Sequence, residues 1–183
     1  MKTLRILAFS ALLLSACVVS AQEHGEGMPP MGAPEQMKSL DFLLGEWDVD
    51  LMVRMDPSSE WMKSKGSAKT VRELEGCVQG MHFEGEMMGM PFFGKDTMTY
   101  NRETQQFESF WIDSMSAHAS MSHGNWDGDK MVMNGTDKAM GQDYHMRTTT
   151  TKVSAKEVLF VMEMSMDGEN YFDSMKMTYR KKG

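Results

Sequence analysis

The fold is decided near the end of the chain by the stretch Val158-Leu159-Phe160-Val161-Met162-Glu163-Met164-Ser165-Met166-Asp167-Gly168. Large apolar side chains occupy every second position from Phe160 to Met166, with Glu163 and Ser165 among the residues between them. This period of two is typical of a β-strand with one apolar face. Asp167-Gly168 is a favoured dipeptide for a tight turn between antiparallel strands. The stretch therefore predicts a strand that leads into a hairpin.

The same pattern recurs outward along the chain, where short segments rich in Val, Thr, Met and aromatic residues lie between turn signals such as Asp127-Gly128. The sequence predicts ten strands, at residues 47–55, 66–75, 79–88, 96–101, 106–113, 117–126, 130–136, 143–153, 157–166 and 171–180. Because no connection has room for a crossover helix, we expect an all-β antiparallel meander. Closure into a lipocalin-like barrel would leave no exposed edge. A two-sheet sandwich is the alternative.

One short helix is predicted ahead of the strands, over residues 35–44. Pro34 precedes it and Gly45 follows it, which matches the residues that commonly begin and end helices. Apolar residues recur at intervals of three and four from Met37 to Leu44, so one face is apolar. A helix this short needs a larger body to pack against.

Residues 1–21 have the features of an export signal: a short basic start and an apolar segment, Ile6–Leu14, too short to span a bilayer. The next residues, Leu14-Ser15-Ala16-Cys17, resemble a bacterial lipobox. We therefore expect a lipoprotein attached through Cys17 and held in the periplasm or at the inner face of the outer membrane. An ordinary cut after Val19-Ser20-Ala21 is the alternative, and it would release a soluble exported protein.

The organisation after the signal is simple. Residues 22–34 are rich in Gly, Pro, Glu and Met and predict a flexible tether, and residues 35–183 have the length of a single domain. The formal net charge of the 183-residue chain is -7. This charge argues against nucleic acid as a partner, and it restricts the expected membrane contact to the lipid anchor. Cys77 is the single cysteine of the domain, so no disulfide can form within it.

Methionine is the unusual feature of the composition, with 23 residues in the chain. Most of them must serve as core residues, since methionine is flexible and fills irregular spaces. The same side chains could line a cavity for a small apolar or amphipathic ligand. A soft-metal protein that binds copper through Met and His is the alternative, because thioether sulfur selects Cu(I).

Four segments resemble, in order, the landmarks of a bacterial family catalogued as domain of unknown function 1579. They are Leu40-Asp41-Phe42-Leu43-Leu44-Gly45-Glu46-Trp47, Leu74-Glu75-Gly76-Cys77, Met87-Met88-Gly89-Met90-Pro91-Phe92 and Trp111-Ile112-Asp113-Ser114-Met115. The resemblance covers about residues 36–182. It implies a small lipocalin-like barrel, frequently exported, with no established activity.

The Gly45-Glu46-Trp47 opening is also faintly similar to that of the haem-binding nitrobindin-type barrels. Those barrels use a histidine late in the chain, and no histidine follows His145 here. We therefore expect no cofactor.

The segment Trp111–Met115 gives the best candidate site, because strand alternation places Trp111 and Asp113 on one face. A carboxylate inside a barrel must find a donor, shift its pKa or meet a ligand. Two interpretations stay open: a polar cluster that fixes the strand register, or the polar end of a ligand pocket. The candidate ligand-binding residues are Trp47, Phe92, Tyr100, Trp111, Asp113, His118 and Arg147.

Two further chemistries are conceivable from the sequence. Asp113 and His118 could act as acid and base in a hydrolase, but no nucleophile or oxyanion motif accompanies them, so we do not expect an enzyme. His82, Glu84 and Glu86 alternate on one strand face in a spacing that could hold a divalent metal. The opposite face of that strand is apolar, so we expect these three side chains to face water and no metal site to form.

Overall fold

A computed structural model describes residues 30–139 and 141–183 of the chain. The expected export signal, Cys17 and most of the tether lie outside these residues. The chain divides into two compact units, Met1–Met31 and Gly32–Gly183, and the second contains the strands described below. Among the described residues, no helix combines the length and hydropathy needed to cross a membrane.

Ten antiparallel strands form one closed barrel. They are β1 Gly45–Val53, β2 Met62–Glu73, β3 Val78–Met87, β4 Met90–Asn101, β5 Gln106–Asp113, β6 Ala119–Asp127, β7 Lys130–Ala139, β8 Gln142–Lys152, β9 Glu157–Ser165 and β10 Phe172–Lys181. Each strand pairs with its neighbours in chain order, and β1 pairs with β10 to close the barrel. The predicted all-β meander is confirmed, and the barrel rather than the sandwich is the architecture.

The largest departure from the predicted strands is at β4, which begins at Met90 and not at residue 96. Met88 and Gly89 both have positive φ, 53° and 78°, so a two-residue turn joins β3 directly to β4. Such a turn matches the twist of a hairpin. A positive φ at methionine is uncommon and is not readable from the sequence.

The predicted helix is present as a 3₁₀ helix over Glu35–Leu43. Met37 and Leu40 are its buried residues, and Leu43 packs beside them. These side chains are three residues apart, and a helix with three residues per turn stacks them on one face. Leu44 has an extended conformation and leads directly into β1.

Strand register fixes which side chains point into the barrel. On β1, Trp47, Val49, Leu51 and Val53 are buried and alternate with more exposed residues. The 3₁₀ helix packs against the inner residues Phe107, Met131 and Met133, and this pole is called the closed end. The opposite pole, called the open end, carries the connections β1–β2, β3–β4, β5–β6, β7–β8 and β9–β10.

Candidate functional site

The structure divides the seven predicted site residues among three places. Phe92, Trp111, Asp113 and His118 lie toward the open end, Trp47 and Tyr100 lie at the closed end, and Arg147 lies on the outer face. The seven residues therefore do not form one cluster, and each group has its own surroundings.

Trp111 and Asp113 do share the inner face of β5, as the alternation predicted. The Trp111 Nε1–H donates to Asp113 Oδ2 at 2.9 Å, and the backbone N–H groups of Met115 and Ser116 donate to Oδ1 at 2.8 and 2.7 Å. Partial burial acts to raise the pKa of Asp113, but these hydrogen bonds outweigh it and hold the pKa below its usual value. The contacts agree with the interpretation of Asp113 as part of a structural polar cluster.

The indole of Trp111 belongs to an aromatic wall. Its ring stacks on Phe92 with centroids 6.2 Å apart, and Phe92 meets Phe83 edge-on at 5.9 Å. Gly94 lies under the indole, where a Cβ atom would come within 2.2 Å of the Trp111 ring. The glycine therefore gives this indole the room it occupies.

His118 is paired with Asp137 and not with Asp113. Its Nε2 lies 2.7 Å from Asp137 Oδ1, and this contact raises the pKa of His118. The hydroxyls of Ser120 and Tyr144 donate to the same carboxylate. Because Ser120 and His118 both bond to Asp137 rather than to each other, this group does not build an activated serine nucleophile. The acid–base pair considered for a hydrolase is not assembled.

Burial and charge also act on Tyr144 in this group. Partial burial, followed by the nearby charge of Asp137, raises the pKa of Tyr144 to about 12. A cleft of about 880 Å³ at the open end is lined by His118, Asp137, Tyr144 and neighbouring residues. The mouth of the barrel is thus polar on the side of β7 and β8.

Arg147, one of the candidate ligand-binding residues, points away from the barrel interior. It pairs across strands with Glu163, and two of its nitrogens donate to the Glu163 carboxylate at 2.7 Å each. Its guanidinium also lies 4.3 Å from the centroid of the Tyr171 ring. The intervening residue Met146 faces inward, since successive side chains of a strand alternate.

Trp47 and Tyr100 form part of the packed floor at the closed end. The Trp47 Nε1–H donates to the Leu43 carbonyl at 2.8 Å, and its ring meets Tyr179 edge-on. Tyr100 meets Phe107 edge-on at 5.1 Å and lines a smaller groove of about 390 Å³ beside the helix. These aromatics close the barrel at this pole.

Between the floor and the mouth, several inward-facing side chains keep some accessible surface. The inward-facing side chains of Trp47, Phe83 and Val158 are each only 1% exposed. An inward-facing side chain in a packed part of this barrel therefore has almost no accessible surface. Other side chains that face inward by register are nevertheless partly exposed. They are Met81, Asp96, Met98, Ser109, Trp111, Met146, Thr148, Phe160, Met162 and Met175. We call the space that these residues border the lumen.

Asp96 is the functional candidate that the sequence reasoning missed. It faces inward on β4, opposite Met81 and Trp111, and accepts a hydrogen bond from the Ser109 hydroxyl. Burial raises the pKa of Asp96 to about 6. The signal for it was already present in the predicted strand 96–101, where Asp96 shares a face with Met98 and Tyr100; the earlier start of β4 adds Phe92 to that face.

Methionines gather on one side of the lumen. Met162 lies opposite Met175, and Met164 lies opposite Met146, so four thioethers share neighbouring inward positions of β8, β9 and β10. Among residues 30–139 and 141–183, no three His, Cys, Asp or Glu side chains are grouped so as to hold a metal ion. His82, Glu84 and Glu86 are exposed on the outer face of β3, as expected.

Comparison with known proteins identifies the family of the chain. A family profile described as "Protein of unknown function (DUF1579)" matches residues 33–181. The chain belongs to this family. The match confirms the resemblance seen in the sequence motifs. A search of curated proteins found no match.

Two solved structures have a similar fold. Rv2717c from M. tuberculosis is 11% identical, with a TM-score of 0.63 over 82% of this chain and 99% of that one. The S-type phycobiliprotein lyase CPES from Guillardia theta is 6% identical, with a TM-score of 0.57 over 80% of this chain and 92% of that one. At these identities the similarity supports the barrel fold alone.

Proposed function

We propose that this DUF1579 protein is an exported, membrane-tethered binding barrel that holds a small apolar or amphipathic molecule in its lumen. The observation that carries the proposal is the partial exposure of inward-facing side chains between a packed floor and an open mouth. A barrel that served only as a scaffold would fill this space with side chains.

The lining of the lumen fits an amphipathic ligand. Phe160 and the paired methionines supply a flexible apolar surface, and Trp111 supplies a flat one. Asp96 supplies one polar group at the lumen wall. Burying a carboxylate is unfavourable, so its retention beside apolar side chains is typical of a functional site.

The ligand site can be tested with N-phenyl-1-naphthylamine, whose fluorescence rises in apolar surroundings. Thr148 faces the lumen, whereas its neighbour Thr149 faces outward. We expect Thr148→Phe to fill the space and to weaken binding by about tenfold or more, and Thr149→Phe to change it by less than about twofold. Circular dichroism of both variants controls for folding. No binding by the parent protein, or equal binding by both variants, would refute a lumen site.

Export and tethering rest on the sequence of residues 1–21. Mass spectrometry of the protein from its own envelope fraction tests them, because a lipid-modified amino terminus at Cys17 has a different mass from an unmodified one at Gln22. We expect the lipid-modified form, and Cys17→Ser should abolish it. An unmodified protein beginning at Gln22 would replace tethering with soluble export.

Copper binding is the second candidate function, and the pairs Met162–Met175 and Met146–Met164 favour it. Soft thioethers on one wall could hold Cu(I). Competition with a chromogenic Cu(I) chelator tests this candidate. Stoichiometric Cu(I) retained by the parent and lost in Met162→Leu/Met164→Leu would support it, while equal retention by the variant would exclude these sulfurs.

A further inference from the structure

A groove at the closed end lies between the 3₁₀ helix and the adjoining ends of β4, β5 and β6. Its volume is about 390 Å³, which is within the range of small-molecule sites. It is separate from the mouth of the lumen, which lies at the opposite pole. We call it the helix groove, and its lining residues are Gln36, Ser39, Tyr100, Phe107, Asn125 and Trp126.

The aromatic side chains of the helix groove are held in place. The Trp126 Nε1–H donates to the Ser39 hydroxyl at 2.8 Å, and the Trp126 ring lies 6.0 Å from that of Phe42. The Tyr100 ring meets the buried ring of Phe107 edge-on at 5.1 Å. Trp126 and Tyr100 are nevertheless only partly buried, so part of each side chain is open to solvent. The helix groove therefore presents a fixed aromatic platform.

Three polar groups of the lining have no hydrogen-bond partner among the described residues. They are the Gln36 side-chain amide, the Tyr100 hydroxyl and Asn125 Oδ1, whereas the Asn125 amide N–H donates to the Gln105 carbonyl at 3.0 Å. The hydroxyl and the Gln36 amide can donate and accept, and Asn125 Oδ1 can accept. A purely apolar ligand would displace water from these groups without replacing its hydrogen bonds, which is unfavourable. The lining therefore favours a ligand that carries several polar groups.

The helix groove also favours an uncharged ligand. None of its six lining residues is charged. Acidic residues outnumber basic ones within three positions of the lining residues in the chain, so an anionic ligand would be repelled. A cationic ligand would find no carboxylate in the lining. The acidic residues are Glu35, Asp41, Glu103, Glu108, Asp127 and Asp129, and the basic ones are Lys38 and Arg102.

We propose that the helix groove is a second binding site, which takes a neutral pyranose sugar. A pyranose ring has a face of C–H groups, and such a face packs on the electron-rich faces of aromatic rings like those of Trp126 and Tyr100. Its hydroxyls both donate and accept hydrogen bonds, which suits the three polar groups of the lining.

This site is independent of the proposed lumen site. The two lie at opposite poles of the barrel, and the floor residues Phe107, Met131 and Met133 pack between the 3₁₀ helix and the interior. A sugar in the helix groove therefore needs no access to the lumen, and each site can be tested without the other.

The test is a titration followed by ¹⁵N–¹H correlation spectra, with methyl β-D-glucopyranoside, cellobiose and N,N′-diacetylchitobiose as the probes. The parent is the exported chain with Cys17→Ser, which cannot carry the lipid. The chain has four tryptophans, and single Trp→Phe variants assign their indole N–H signals. We expect at least one probe to shift the Trp126 signal with a Kd in the low millimolar range, while the signals of Trp61 and Trp111 stay in place.

A double variant tests the polar groups without removing the aromatic platform. Tyr100→Phe/Gln36→Ala deletes two groups that have no partner among the described residues, so the fold should be kept. We expect it to weaken sugar binding by about tenfold or more, since two hydrogen bonds to the ligand are lost. The control Tyr171→Phe/Gln142→Ala makes the same two changes beside Arg147 and at the start of β8, and it should change binding by less than about twofold. Circular dichroism of both variants verifies folding.

A Trp126 signal that none of the three sugars shifts, or equal binding by the groove variant and the control, would overturn the proposal. So would tighter binding of glucuronate than of methyl β-D-glucopyranoside, since this would mean that the site selects an anion. N-phenyl-1-naphthylamine binding reports on the lumen separately. We expect the groove variant to keep its affinity for this fluorescent probe, and failure of the parent to bind it would refute the lumen site without bearing on the helix groove.

Discussion

Asp96 is a carboxylate whose surroundings favour its neutral form. It lies in the barrel wall between Met81 and Trp111, with the Ser109 hydroxyl as its side-chain hydrogen-bond partner. Burial raises its pKa well above that of an ordinary aspartate, to about 6. The pKa of Tyr179 is also raised, mainly by burial and to a smaller extent by the negative charge of Asp96. The lumen thus contains a group that titrates close to neutral pH.

Replacing Asp96 by Asn should remove this titration. A carboxylate with a raised pKa in the folded state binds protons more tightly there than in the unfolded state. The contribution of Asp96 to stability should therefore fall as pH rises from about 4 through 6 and then level off. The corresponding penalty at pH 7 is about 2–3 kcal/mol. We expect Asp96→Asn to be more stable than the parent at pH 7 by up to this amount, with little difference at pH 4.

Urea unfolding at pH 4 and pH 7 measures this difference. Asp48→Asn is the control, because Asp48 is exposed on the outer face of β1. Parallel stability–pH profiles for Asp96→Asn and the parent would show that Asp96 is not responsible.

Individual site residues were predictable only in part. The alternation of Trp111 and Asp113 correctly placed both side chains inside, because a strand has a strict period of two. The same rule places Arg147 outside, once the neighbouring Met146 is recognised as an inward residue. The pairing of His118 with Asp137 depends on which strands become neighbours, and this information is not local in the sequence.

At the scale of elements, hydrophobic alternation was sufficient to find all ten strands, whereas their ends depended on backbone conformations that residue types do not specify. The early start of β4 follows from a positive φ at Met88. The β2–β3 connection is similar, since Leu74, Glu75 and Gly76 have successive φ values of 47°, 55° and 93°. Glycine alone adopts this region without a steric penalty.

This connection allows a matched pair of substitutions. Glu75 has a positive φ, whereas Glu73 is extended with φ of -124°. Glu75→Gly removes backbone strain from the folded state, and this gain offsets the greater entropy of the unfolded chain. The free energy of unfolding of this variant should therefore equal or exceed that of the parent. Glu73→Gly carries the entropy cost without relief and should lose about 1 kcal/mol. Denaturant unfolding of the two variants checks the order, and a less stable Glu75→Gly would contradict it.

At the scale of the whole molecule, the charged side chains that face the lumen and its mouth are negative. Among the described inward-facing residues, Asp96 borders the lumen and Asp113 and Asp137 lie at its mouth, and no Lys or Arg faces inward in either region. The cation Arg72 lies at the closed end, where it bonds to the Met37 carbonyl and to Asp41. The net charge is readable from the sequence, but its division between the inner and outer surfaces is not, because that division needs the register of every strand.

A lumen with acidic walls should discriminate between amphiphiles of equal length. We expect dodecylamine to bind at least about tenfold more tightly than dodecanoate at pH 7.5, since the ammonium group is attracted to Asp96 and the carboxylate is repelled. Displacement of N-phenyl-1-naphthylamine measures both affinities. Asp96→Asn should reduce the preference, and Asp48→Asn on the outer face should leave it unchanged. Equal affinity for the two amphiphiles would mean that the apolar wall alone selects the ligand, and a preference for dodecanoate would place the polar end of the ligand away from Asp96.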